Sequence, residues 1–228
     1  ARLARLGVAH TFEANADLFR SDAILEHYVE DTKRFLDATI TVEARAAIRD
    51  RPLVFEGAQG LLLDQDRGCF PHVTRSNTGL RNVLALANEL GLERLNVTYV
   101  TRAYLTRHGA GPLPRERPEK PYPGIVDTTN VPNEHQGTLR FAWLDLDLLG
   151  RAIHEDLSDA TAYPALTVNA GLAITCLDQL DGEAARYYRG GIQHRSSLET
   201  FVAAAAEAVG LDRPLLGFGP SRELMPCG

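Results

Sequence analysis

Apolar residues recur at three- and four-residue spacing through Leu25, Tyr28, Val29, Phe35 and Leu36, with Thr32 in the same series, behind Ser21 and Asp22. That period predicts one face of a helix, with Ser21 or Asp22 capping its first free amides. Thr41 predicts a second cap, for a helix through Ala47. Leu53, Val54 and Phe55 form a short apolar run that stops at Gly57 to Gly60, the pattern of a buried strand entering a loop. Between Thr78 and Gly91 the helical period returns, with Leu80, Val83, Leu84, Ala87 and Leu90 on one face and Gly91 as the stop. A strand is expected over residues 96–104. From His108 to Asn133 the chain is rich in Pro and Gly and keeps no period; a loop that long is uncommon in a compact domain unless it serves a site. Phe141 to Leu144 predicts a short strand running into a helix over residues 145–157, and the apolar run 172–177 predicts a fully buried strand. Ser196 or Ser197 caps a helix carrying Leu198, Phe201, Val202, Ala205 and Val209, closed by Gly210. Strands alternating with helices predict an α/β fold, a mainly parallel sheet with flanking helices.

The chain has 228 residues, a net charge of −6 and 44% hydrophobic residues. A chain of this size buries roughly 70% of the surface its unfolded form exposes, so a packed core rather than disorder is expected. No segment reaches the ~18 apolar residues of a membrane span, and the start around Arg2 and Arg5 lacks the apolar core of a signal peptide; a cytoplasmic address is expected. Net negative charge without a Lys/Arg block argues against sequence-independent nucleic-acid binding, which depends on neutralising phosphates. Cys69, Cys176 and Cys227 are odd in number and never spaced as CxxC, so neither a disulfide framework nor a zinc knuckle is suggested. The seven His form no HxxxH or HExxH, and no GxSxG is present.

Ligands of open α/β sheets bind beyond the carboxyl ends of strands, which directs attention to the segments after Phe55, Tyr104, Leu177 and Phe218. The first is Glu56-Gly57-Ala58-Gln59-Gly60, continuing to Thr74, Ser76 and Asn77. Glycines let backbone amides approach a ligand, and Gln59 both donates to and accepts from a purine edge; a plain turn accounts for the glycines equally. Asp64 to Gly68 hints at a calcium loop, but Arg67 and Arg75 stand where carboxylates are needed. The second segment sets Arg102, Arg107, Arg115, Arg117 and Lys120 around His108-Gly109-Ala110-Gly111-Pro112. Guanidinium groups there suit a phosphate; a solvated loop screened by Glu116 and Glu119 is the alternative. In the third, Asp178 is placed either to accept from the N1–H and amine of guanine or to cap the following turn.

Together these segments resemble one family, adenylosuccinate synthetase. The matching phrases are ValPheGluGlyAlaGlnGly with LeuLeuAspGlnAsp, ProHisValThrArgSerAsn, ThrArgHisGlyAlaGlyProLeuPro, TrpLeuAsp at Trp143, LeuAspGlnLeuAspGly from Leu177 and GlyProSerArg from Gly219. They occur in the family's order, which is far more specific than any one glycine motif. The resemblance implies a parallel-sheet α/β fold distantly like P-loop nucleotide hydrolases, a homodimer, and a ligase that joins aspartate to inosine monophosphate in purine biosynthesis. It implies GTP as phosphoryl donor and magnesium as cofactor. By residue, it implies Gln59, Thr74 and Gly57 for the purine nucleotide, and Asp178, Gly219 and Cys176 for the donor base. Arg140 is implied for aspartate, and Arg107 suits a phosphate.

The family's phosphate-binding loop, similar to GlyAspGluGlyLysGly, and its catalytic aspartate and histidine are not in this sequence. The chain is therefore expected to be a single partial domain over 1–228, the C-terminal half to two-thirds of the enzyme, with magnesium held mainly by the other part and no catalytic residue of its own. The family's usual lysine is Cys176 here, a serine is Gly217, and the loop 133–140 is short and poor in arginine. These departures resemble the phage-type relative, 2-aminoadenylosuccinate synthetase, which joins aspartate to deoxyguanylate with an adenine nucleotide as donor. A non-catalytic nucleotide-binding fragment is the further alternative.

Overall fold

The computed structural model describes residues 9–39, 51–127, 130, 132, 137–180, 182 and 184–220. It divides into two compact units, Ala1–Leu53 and Val54–Gly228. The first holds helices α1 (Ala9–Ala14), α2 (Ala16–Phe19) and α3 (Asp22–Ala38). Ser21 caps α3, its hydroxyl accepting from the Ile24 amide at 3.4 Å. The helix expected there forms, and its apolar stripe of Leu25, Tyr28, Phe35 and Leu36 is exposed. The helix expected from Thr41 lies outside the described residues.

The second unit carries α4 (Arg81–Leu90), β1 (Arg94–Arg102), β2 (Tyr104–Arg107), β3 (Glu116–Arg117), β4 (Arg140–Asp145), α5 (Leu146–Ser158), β5 (Thr167–Thr175), β6 (Ala185–Arg189), β7 (Ile192–Ser196), α6 (Leu198–Val209) and β8 (Leu215–Leu216). One sheet is all parallel, in the order β1-β5-β8. The other runs β2-β4-β6-β7, with β3 also paired to β4; its β4–β6 pair is parallel and the rest are antiparallel. The β6–β7 hairpin has no counterpart in the sequence reading, because its strands are charged and β7 is mostly exposed.

The expected strand 96–104 is split. Ala103, which donates to the Thr175 carbonyl at 3.1 Å, is where the chain leaves the parallel sheet and enters the second one. The buried strand expected at 172–177 begins earlier and ends sooner, at Thr167–Thr175. The strand expected at Leu53 to Phe55 is absent: Val54 is 90% exposed, and only Phe55 packs, against the core under α4. An apolar run becomes a strand only where a neighbour satisfies its backbone groups, and no ladder among the described residues reaches it. The helix expected from Thr78 starts at Arg81, because Thr78 is drawn into the preceding loop, where its hydroxyl donates to the Gly60 carbonyl at 3.0 Å.

Two apolar clusters hold this unit. Leu84, Ala87, Leu95 and Leu166 join α4 to one face of β1 and β5. Leu144, Ile153, Leu172, Ile174, Tyr187 and Phe201 belong to the larger cluster, against which α5 and α6 pack, and Trp143 joins it from the other face of the second sheet. These helices approach closely: a Cβ built on Gly150 would stand 2.4 Å from the Ala208 carbonyl oxygen. Asp145 caps α5 by accepting from the Leu148 amide at 3.1 Å, and Ser197 caps α6 by accepting from Thr200 at 3.3 Å. Phe201 is fully buried between α6 and Tyr187. Phe201→Ala is expected to lower unfolding free energy by about 3–5 kcal/mol in urea titration, whereas a loss under ~1 kcal/mol would mean that the α6 interface is not part of the core.

Candidate functional site

The Gly57 to Asn77 loop is built on two carboxylates. Asp64, 3% exposed, accepts from the amides of Asp66 at 2.9 Å, Arg67 at 3.3 Å and Thr78 at 2.8 Å, which folds the loop back on itself. Burial pushes its carboxyl pKa up, and the amides of Asp66, Thr78 and Arg67 more than reverse this, leaving it below the ordinary carboxylate value. Backbone bonds from Gln65 to Ser76 and from Thr74 to Leu63 close the loop. Thr74 therefore lies on the same folded loop as Gly57 and Gln59. Gln59 is exposed with φ +68, a left-handed conformation unusual for a residue with a side chain; such strain gathers at functional sites.

The second carboxylate is Asp156 on α5, 1% exposed. It accepts from Arg67 Nη1 at 2.9 Å, the Leu80 amide at 3.0 and 3.2 Å and Tyr99 Oη at 2.8 Å. Arg67 also reaches Asp159 at 2.7 Å. Burial, then the bond to Asp156, raises the Tyr99 pKa, so its hydroxyl stays a donor. The fit excludes any side chain at Gly79, where a Cβ would stand 1.8 Å from Asp156 Oδ1. The sequence marks Asp64 as a motif residue without its loop-closing role, and does not single out Asp156. The available signal was a charged residue on the apolar face of α5, three residues after the buried Ile153.

Arg107 joins this loop to the next. It donates to the His72 carbonyl at 2.8 Å and to the Ala110 carbonyl at 2.9 Å. Arg140, one place before Phe141, donates through Nη1 to the carbonyls of Gly109 at 3.0 Å and Gly111 at 2.9 Å, and grips Glu116 with Nε and Nη2. Of the five guanidinium hydrogens, four are used among the described residues, leaving one on Nη2. Asp178 opens a one-turn helix, Asp178–Leu180, and is exposed. Cys176, with φ +61, precedes it. The Leu177 amide donates to the Gly217 carbonyl at 3.1 Å and the Gly217 amide to Ile174 at 2.8 Å, so Cys176 and Asp178 sit beside the segment that leads to Gly219, at the carboxyl ends of β5 and β8. Tyr104 Oη donates to Gln179 at 2.5 Å, tying this turn to β2. The structure thus joins the loops of Gln59, Thr74, Arg107 and Arg140 in one hydrogen-bonded series, and Cys176, Asp178 and Gly219 in another. Ser221, Arg222, Cys227 and residues 133–136 lie outside the described residues.

A family model described as adenylosuccinate synthetase matches residues 5–184. The chain belongs to the adenylosuccinate synthetase family. It is 34% identical over 212 residues to the adenylosuccinate synthetase of Acidithiobacillus ferrooxidans, covering 90% of this chain and 46% of that one. With that of Lactobacillus gasseri it shares 31% over 199 residues, covering 84% and 46%. With that of Stenotrophomonas maltophilia it shares 39% over 132 residues, covering 57% and 28%. The chain thus spans less than half the length of these members of the adenylosuccinate synthetase family. The structure of fully ligated adenylosuccinate synthetase from Plasmodium falciparum has the same fold, with a TM-score of 0.53 at 20% identity, covering 76% of this chain and 49% of that one.

Because the folded Asp64 carboxyl has a lowered pKa, its contribution to stability is present above the unfolded value near 3.8 and is lost as pH falls through the folded value. Acid titration of stability is expected to show a loss below about pH 4 that Asp64→Asn removes. An identical pH profile in the variant would contradict this role.

Proposed function

We propose that the chain forms the nucleotide-binding part of an adenylosuccinate synthetase, the ligase that joins aspartate to inosine monophosphate with GTP hydrolysis in purine nucleotide biosynthesis. In that reaction O6 of the purine attacks the γ-phosphorus of GTP and GDP leaves. The aspartate amine then attacks C6 and loses its proton, and phosphate departs with O6. Such chemistry depends mainly on holding the reactants in line and stabilising phosphoryl charge.

The observation that carries the reading is the linkage of the motif loops. Arg107 ties the Gln59–Thr74 loop to the glycine loop, and Arg140 ties the glycine loop to β4. Gln59 and Thr74 contact the purine nucleotide, and Gly57 lets it approach the backbone. Asp178, with no hydrogen-bond partner among the described residues, accepts from the N1–H and amine of the donor guanine. The Gly219 backbone and Cys176 flank that base. Arg107 lies near phosphate, and Arg140 acts chiefly by shaping the glycine loop, with its last Nη2 hydrogen for an aspartate carboxylate. The same reading takes the working enzyme to be a cytoplasmic homodimer that uses magnesium. Among the described residues no three His, Cys, Asp or Glu side chains converge as metal ligands. No described helix is long and apolar enough to cross a membrane.

Titration calorimetry with inosine monophosphate, GTP and ATP tests this. Inosine monophosphate and GTP are expected to bind. Gln59→Ala is expected to weaken the monophosphate about tenfold or more and leave GTP unchanged, and Asp178→Ala to erase the preference for GTP over ATP. Unchanged monophosphate affinity in Gln59→Ala would remove Gln59 from the site, and failure of both nucleotides to bind would overturn the reading for this chain.

A further inference from the structure

Side chains alternate along β4, so Phe141, Trp143 and Asp145 face one side of the second sheet and Arg140, Ala142 and Leu144 the other. Register extends the first face. Arg117 of β3 is opposite Phe141, and Tyr188 of β6 is opposite Asp145, which sets Arg186 beside Trp143. Three guanidinium groups gather there. Arg117 stands 4.8 Å and Arg186 5.6 Å from the centre of the Trp143 ring, and Arg115 stands 4.2 Å from that of Tyr188.

Among the described residues the negative charge on this face does not match them. Asp145 takes Arg115 Nε at 3.4 Å with one oxygen and caps α5 with the other. Glu116, between Arg115 and Arg117, points to the opposite face and is gripped by Arg140. Among the described residues no carboxylate pairs with Arg117 or Arg186, and Arg117 Nε is buried without a hydrogen-bond partner. Buried donors are almost always satisfied, and like charges held together over one ring favour a counter-ion. The ring quadrupole attracts each cation, but it supplies no acceptor in the guanidinium plane, where an N–H must point.

We propose that Arg117 and Arg186, on the Trp143 face of the sheet, form a binding site for a doubly charged phosphate group. Phosphate fits because guanidinium offers paired N–H donors to its oxygens, and two such groups match two charges. The site lies on the face away from Arg107 and Arg140 and does not rest on the nucleotide reading above; Tyr104, opposite Trp143 and so on the same face, leads from it to Gln179 beside Asp178. Tyr122 walls it, with its ring edge-on to Trp143 at 5.3 Å and its hydroxyl accepting from the Arg186 amide at 2.8 Å. The ligand is inorganic phosphate or a phosphate ester that leaves the aromatic face dry.

Trp143 is the single tryptophan of the chain, so it reports the site directly. Titration of the full chain with inorganic phosphate, against potassium chloride at equal ionic strength, is expected to give a saturable change in tryptophan fluorescence. Arg117→Ala and Arg186→Ala are each expected to raise the dissociation constant about tenfold or more. Arg117→Lys, which keeps the charge and loses the paired donors, is expected to bind more weakly than the parent and more tightly than Arg117→Ala. Far-ultraviolet circular dichroism on each variant shows whether it is folded. A response no larger than that to chloride would overturn the proposal, as would folded Arg117→Ala and Arg186→Ala variants that titrate like the parent. Saturation by succinate at concentrations where phosphate gives none would overturn the choice of phosphate. The phosphate titration of Trp143 fluorescence is expected to be unchanged in Gln59→Ala, so the two sites fail or stand separately.

Discussion

A carboxylate withdrawn from water has to be satisfied by the protein, and Asp156 is satisfied by three parts of the chain at once. Arg67 comes from the motif loop, the Leu80 amide from the entry to α4, and Tyr99 from β1. Removing one partner of a buried ion pair typically costs about 3–5 kcal/mol because a charge is left unpaired. The loop from Gly57 to Thr78 contains no regular element beyond one short turn at Leu61–Leu63, so its shape depends on Asp156 and Asp64. A site built on such a loop is as ordered as the carboxylates beneath it.

The two sheets divide the remaining work. The parallel sheet ends at Thr175 and Leu216, and there the chain turns out through Cys176, Asp178 and Gly219. The second sheet carries Arg107 and Arg140, whose guanidinium groups hold carbonyls of the loops rather than standing free. Ala103 is the crossing between the sheets, and Tyr104 beyond it bonds to Gln179. Binding groups on one sheet are thereby set relative to those on the other by hydrogen bonds across a buried seam, the kind of support that keeps a site in a single geometry.

Periodicity and caps made the helices legible: Ser21 and Ser197 each cap where a side-chain oxygen precedes an apolar series. Motif order made the family legible. Pairing was not legible. Nothing in Leu53-Val54-Phe55 says that no strand lies beside it, and nothing in the run through Ala103 says that the chain changes sheet there. Asp64 was legible only as part of a motif phrase and of a loop whose arginines argue against calcium, and nothing local marked Asp156 as buried. The partners of Asp156 are as many as 89 residues away, beyond the reach of any local pattern. Arg140 shows the converse: its residue type was read from the sequence, while its bonds to Glu116, Gly109 and Gly111 required the fold.

Arg67 and Asp156 act as one unit that holds the motif loop. A double-mutant cycle with Arg67→Met and Asp156→Asn, read by urea unfolding, tests it most directly. Groups in one buried network are expected to couple by about 1 kcal/mol or more, so the double variant should lose clearly less than the sum of the single losses. Losses that add to within ~0.5 kcal/mol would mean that the loop is held by something other than this pair.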